Sequence, residues 1–231
     1  MSTTTPGLMN IGEEAKPPAT VLPDPVQVFR NRAIRLERLA KDHALASYLQ
    51  LVAKMCRAQA DIQADLPAVV MPPEVQSIMA SGVSADDSAP RVLHFDRVTL
   101  DGIAEQTLQR LAEVLAQIDA PEAFRDATGT ILALAPALRL NLLADTLAHR
   151  DDTDGLAVRT IAAAALQVHF ARLAAALNVE TIAPVAGGKC PVCASAPTAS
   201  AVVSWPSANN TRFCTCSLCA TQWQEMAAYY S

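Results

Sequence analysis

Aromatic side chains are scarce in this sequence: two Trp, three Tyr and five Phe among 231 residues. Few segments are rich in β-branched or aromatic residues, so an all-β fold is not expected. Alanine and leucine carry the apolar content, and both favour helix. Positive charge is also short. The net charge is −5, so the chain as a whole has no basic excess to hold nucleic acid or anionic lipid. No long apolar run is uninterrupted. The best candidate, LAVRTIAAAALQVHFARLAAAL, is broken by Arg159, Gln167, His169 and Arg172, so membrane insertion is not expected. The N-terminal stretch lacks the basic start and apolar core of a secretory signal. Rich in Thr, Pro and Gly, it predicts an unstructured lead-in over residues 1–25. There is no phosphate-binding glycine loop, no nucleophile elbow and no H-E-x-x-H motif. The glycines of AGGK precede neither a helix nor a Ser/Thr. A cytoplasmic location is the default expectation.

What is present is helical periodicity. In VQVFRNRAIRLERLAKDH, the residues Val28, Phe29, Ala33, Leu36, Leu39 and Ala40 share a broad face, and Arg30, Glu37, Arg38 and Lys41 lie opposite. Arg32 falls inside the apolar arc. The helical pattern continues through Leu45, Tyr48, Leu49, Val52, Met55, Cys56 and Ile62, giving either two helices, the second capped by Asp42, or one bent one. PPEVQSIMAS predicts a short helix with a proline in its first turn. Ala104, Leu108, Leu111, Leu115 and Ile118 keep step along another helix, and Pro136 must kink or restart the one after it. The stretch from Leu156 is apolar over most of its circumference and is the expected central helix. The predicted organisation is mainly α: a helical bundle domain over residues 26–183, then a small rubredoxin-like or zinc-ribbon four-cysteine module over 184–231. APVAGGK marks the boundary. Within the module, TASAVVSW and TRFCTC are expected to form a short β-hairpin.

That module holds five of the six cysteines. Cys190 and Cys193 form one C-x-x-C pair, Cys216 and Cys219 another. The spacing lets both sulfurs of a pair reach one ion from a tight turn whose backbone N–H groups donate to them. Two such pairs make a tetrahedral four-sulfur site, the geometry of structural zinc or rubredoxin-type iron. All-thiolate ligation closes the site and leaves no open catalytic position. In a cytoplasmic protein such pairs favour metal or transient redox chemistry over structural disulfides. Glycine commonly follows the second cysteine of such a turn, because the backbone there favours the left-handed region. Ala194 and Ala220 hold those places, at a cost of about 1 kcal/mol each. Cys214 is spare: an alternative ligand, an oxidisable thiol or a small inward-facing strand residue. Cys56 reads as a buried, inert thiol. His43, His94, His149 and His169 share no spacing with a carboxylate or cysteine that suggests catalysis. The cluster Arg30, Arg32, Arg35, Arg38 and Lys41 is either a solvated face or a patch for acidic partners.

CPVCASAPTASAVV followed by TRFCTCSLCATQW resembles the formate dehydrogenase accessory protein family, FdhE, whose pattern is C-P-V-C-G-S-x-P, an aromatic before C-S-L-C, then T-E/Q-W. FRNRAIRLERLAKDHALASYLQLVAKMCRAQ and ALQVHFARLAAAL resemble helices of the same family. The resemblance spans about Val26 to Trp223. It implies a non-enzymatic cytoplasmic assembly factor that binds the catalytic subunit of respiratory formate dehydrogenase before twin-arginine export. It also implies that Cys190, Cys193, Cys216 and Cys219 ligate one metal ion, with iron favoured over zinc. The family continues with a basic stretch and further C-x-x-C pairs, whereas this chain ends QEMAAYYS. A truncated module, lacking a second metal site, is therefore expected. If ligands interleave between early and late pairs, the first site would be incomplete too. A homodimer is left open. Two rival functions remain: a zinc-ribbon module for nucleic acid or protein, and a thiol oxidoreductase.

Overall fold

The computed structural model describes residues 17–81, 91–148, 155–183, 188–205 and 208–225. The first helix, α1 (Pro25–Leu39), starts where Asp24 accepts hydrogen bonds from the backbone N–H groups of Val26 and Gln27. A proline opens it, where a missing N–H costs nothing. Its apolar stripe buries Phe29 and Ala33 completely. A tight turn leads to α2 (Ala46–Asp61). Asp42 does not cap this helix: it occupies the turn itself, in the left-handed region at φ 57°, which Asp tolerates better than most residues. Leu45 stands at the cap position, and His43 Nδ1 accepts from its N–H at 3.0 Å.

α3 (Pro73–Ser81) is the expected short helix. α4 (Gly102–Leu115) is capped by Asp101 and buries Ala104, Leu108, Leu111 and Leu115 of the stripe read from the sequence, while Ile118 lies past the helix end and is partly buried. Pro136 restarts the chain rather than bending it: α5 (Glu122–Ala133) ends, and α6 (Pro136–Leu147) begins on the proline. α7 (Leu156–Ala175) is central, packing against α1, α2, α4, α5 and α6. By sequence, the DDTD stretch at residues 151–154 reads as a cap for the start of this helix, and it lies outside the described residues. Gly155 precedes the helix at φ 109°, a conformation in which a side chain is strained. No described helix is long and apolar enough to cross a membrane.

The sheet is larger than the hairpin expected. β2 (Pro197–Trp205) pairs antiparallel with β3 (Ala208–Cys216), and β3 continues to β4 (Gln222–Gln224). The fourth strand, β1 (Thr20–Val21), comes from before α1 and pairs with β4, Thr20 opposite Trp223. The expectation of an unstructured lead-in therefore fails for residues 17–25. Backbone groups of this short segment are satisfied by a strand from the far end of the sequence, a long-range pairing that local composition does not encode. The boundary stretch over residues 184–187 lies outside the described residues.

One apolar core runs through both parts. It includes Phe170, Leu108 and Ile161 of the helices together with Cys190, Val192, Cys193, Cys216 and Cys219. The bundle and the ribbon are thus packed against each other.

Candidate metal centre

Each C-x-x-C pair sits on a tight turn between polar backbone clasps. In the first, Ala194 N–H donates to Cys190 O at 3.0 Å, and Cys190 N–H to Ser195 O at 2.9 Å. In the second, Cys216 N–H donates to Thr221 O at 2.9 Å. The backbone N–H groups of Leu218 and Cys219 point at Cys216 Sγ, at 3.3 and 3.4 Å. These are the donors that stabilise a thiolate on a metal. Ala194 and Ala220 both lie in the left-handed region, at φ 66° and 60°. The turn demands that backbone even where a methyl group resists it.

The four sulfurs converge. Cys190 Sγ lies 3.6 Å from Cys219 Sγ and Cys193 Sγ 3.4 Å from Cys216 Sγ. Ligand atoms of all four residues lie within 4.8 Å of one another. None is disulfide-bonded. A regular tetrahedron of sulfurs with metal–sulfur bonds near 2.3 Å has edges of about 3.8 Å, so the cage fits one ion. All four cysteines are fully buried. Hydrogen bonds from Cys190, Cys193 and Cys219 hold the Cys216 thiol far below its ordinary pKa, while burial pushes Cys190 and Cys219 well up. Deprotonating four buried sulfurs this close together is costly without a cation among them, which is the electrostatic demand a bound ion would meet. Thr221 Oγ1, 3.2 Å from Cys219 Sγ, adds a side-chain partner.

Cys214 is not part of this cage. It lies on β3 opposite Trp223 of β4 and Ser200 of β2, buried as a small strand residue. Cys56 is buried in α2, and burial raises its pKa.

Among the described residues, no histidine joins the cage. His94 pairs with Asp96. His169 is buried in α7, where burial lowers its pKa to about 4. His149 lies outside the described residues.

Contacts that fix the ribbon to the bundle go beyond what the sequence indicates. Leu93 N–H donates to Val192 O at 2.9 Å and Phe95 N–H to Cys193 O at 3.1 Å, so the segment before α4 runs along the first turn. Gln167 of α7 donates from Nε2 to Ser217 O in the second turn at 3.0 Å. Its Oε1 accepts from Gln59 of α2 at 3.2 Å. Arg32, placed in the apolar arc from the sequence, stacks over Phe29 with its guanidinium carbon 5.4 Å from the ring centre. Burial lowers its pKa, against the fields of Cys56 and Cys216. The one signal legible in the sequence among these is that arginine on an apolar face.

The fold and the cage together define a helical protein with a clasped four-cysteine ribbon, a candidate metal-binding module with no exposed thiol in its ligand set. Comparison with known proteins gives the family. Residues 17–187 match the family model described as FdhE, N-terminal, and residues 189–226 match FdhE, central domain. A protein FdhE homolog of Rhizobium meliloti (strain 1021) is 31% identical over 219 residues, covering 94% of this chain and 69% of that protein. One from Yersinia pestis (strain Pestoides F) is 31% identical over 202 residues, covering 85% of this chain and 62% of the relative. The crystal structure of the FdhE protein from Pseudomonas aeruginosa shares the fold, with a TM-score of 0.75 at 24% identity over 90% of this chain and 70% of that one. The chain belongs to the FdhE family. The expected lack of a cysteine-rich C-terminal part is corrected to this extent: residues 189–226 match the central domain and carry a cysteine cluster within this chain.

Proposed function

We propose that this protein is a non-enzymatic assembly factor for respiratory formate dehydrogenase. In this reading it binds the catalytic subunit in the cytoplasm, before that subunit is exported folded by the twin-arginine route. Membership of the FdhE family, across both the helical part and the ribbon, is the observation that carries it. Cys190, Cys193, Cys216 and Cys219 hold one structural ion, iron in preference to zinc by the family resemblance. When bound, the ion cross-links the two turns. Residues 26–183 serve as the docking body and 184–231 as the ribbon.

Closure of the cage supports this reading over thiol exchange, which needs an accessible thiolate. The ribbon's cations, Lys189 and Arg212, are too few for a phosphate footprint, which weighs against nucleic acid. Affinity capture with the full-length protein, from cells producing respiratory formate dehydrogenase, should recover the catalytic subunit. Consistent failure to recover it, with the bait folded, would count against the proposal. Insulin reduction that is lost on Cys190→Ser would instead favour the oxidoreductase.

A further inference from the structure

α1 presents two faces of opposite character. One buries Phe29 and Ala33. On the other, Arg30, Ile34 and Arg38 follow one another at four-residue steps, and Lys41 continues the line in the turn. Arg35 and Leu39 form a parallel line beside them. All six are exposed, and Ile34 and Leu39 are 40% and 43% accessible. Glu37, the one acid within α1, does not balance these cations. Arg57 of α2 takes both its carboxylate oxygens at 2.7 Å. Among the described residues, no carboxylate pairs with Arg30, Arg35, Arg38 or Lys41.

The arrangement is costly by itself. Like charges three residues apart on a helix repel, and exposed apolar side chains gain nothing from water. The helix dipole accounts for cations near the C-terminus, such as Arg38 and Lys41, but not for Arg30 in the first half. The chain as a whole is acidic, at −5, so the charge of this face is opposite in sign to that of the whole chain. Ile34 and Leu39 sit among the cations. Phosphates would leave them uncovered, whereas an acidic protein surface with apolar side chains would cover both.

We propose that this face of α1 is the surface on which the protein docks an acidic segment of its client. The inference rests on the assembly-factor reading and specifies where that client meets the chain. Charged groups at such a contact set association rate and salt dependence, with the apolar centre adding residence time.

The test uses the full-length protein and the purified formate dehydrogenase catalytic subunit, titrated at several salt concentrations. The Arg30→Glu/Arg35→Glu/Arg38→Glu variant should bind at least about tenfold more weakly and lose most of the salt dependence. The Arg97→Glu/Arg110→Glu/Arg212→Glu variant makes the same change in net charge at other exposed sites and should bind like wild type. If the reversal prevents folding, Arg30→Gln/Arg38→Gln takes its place, with a loss of about threefold or more. Equal affinity and salt slope for wild type and the α1 variant would overturn the surface, as would an equal loss in the control. Duplex DNA binding that the α1 reversal abolishes, with client binding untouched, would give the face to nucleic acid and likewise overturn the proposal. Failure of wild type itself to bind would remove the client reading, and this surface's occupant with it.

Discussion

Phe170 in α7 and Cys219 in the second ribbon turn are both buried to 0%, but their burial is sustained in different ways. Phe170 lies in a long helix that packs against five others, so the loss of one neighbour leaves many. Cys219 lies in a ribbon whose outer strand, β2, is exposed over most of its described side chains. Five of the ribbon's buried residues are cysteines, and Val192 and Trp223 are its larger apolar ones. Two turns there carry alanine where the backbone favours glycine. The bundle therefore spreads its stability over many apolar contacts. The ribbon concentrates it at one point, the four sulfurs, and in a few clasps to α7 and to the segment before α4. A mainly helical chain can carry such a ribbon because the bundle supplies the core against which the turns close.

The most severe way to break this contrast is to disable the cage. Cys216→Ser/Cys219→Ser, or metal removal by a chelator, should cost the ribbon on the order of 10 kcal/mol of folding free energy. Hydrogen exchange should then show amide protection lost across β2, β3 and β4 while far-UV circular dichroism keeps most of its helical signal. Simultaneous loss of both would mean that the bundle depends on the ribbon as much as the reverse.

The bundle has its own concentrated point. Arg139 donates from Nε to Glu105 Oε1 at 2.6 Å, with both side chains nearly buried, and also to Leu134 O and Gln109 Oε1. Glu105→Ala leaves a buried guanidinium short of its counter-charge and should destabilise the protein by about 3 kcal/mol in denaturant unfolding. A variant that loses less than about 1 kcal/mol would show that Gln109 and the carbonyl suffice.

A smaller effect should appear with pH. His169 is buried, its Nε2 has no hydrogen-bond partner among the described residues, and its pKa is lowered to about 4, mainly by burial. The unfolded chain takes up this proton near pH 6.5, the folded chain only near pH 4. Stability from this group is therefore full above pH 6.5 and falls as the pH drops towards 4, by roughly 2–3 kcal/mol. Because protonation of the cysteines also acts in acid, the comparison is with His169→Gln: the variant should lose less stability than wild type between pH 6.5 and 4.5. An identical slope would contradict the assignment.

The smallest change tests the turns. Ala194→Gly and Ala220→Gly remove the strain of a methyl group in the left-handed region, offset in part by lost burial and greater freedom in the unfolded chain. Each should slow ribbon exchange by a factor equivalent to about 0.5–1 kcal/mol. Faster exchange would mean that the buried methyl groups matter more than the backbone.

The sequence makes some of this legible and not the rest, for physical reasons. The helices are readable because burial repeats along them, as at Ala104, Leu108, Leu111 and Leu115. Convergence of the cysteines is readable because C-x-x-C spacing is a local constraint, and the strain at Ala194 and Ala220 follows from the same turn. Pairing of Thr20 with Trp223, the clasp of Leu93 on Val192, and the link from Gln59 through Gln167 to Ser217 are not readable. Each joins single residues far apart in the chain and leaves no periodic trace. Asp42 misleads because an aspartate before a helix serves equally well as a cap or in a left-handed turn.

Metal content measured on protein purified without oxygen, together with its absorption spectrum, tests the central claim most directly. The account predicts one iron or zinc per chain, with rubredoxin-like bands if it is iron, and loss of that ion in Cys190→Ser. A folded ribbon with four free thiols and no metal, unchanged by added iron or zinc, would contradict it.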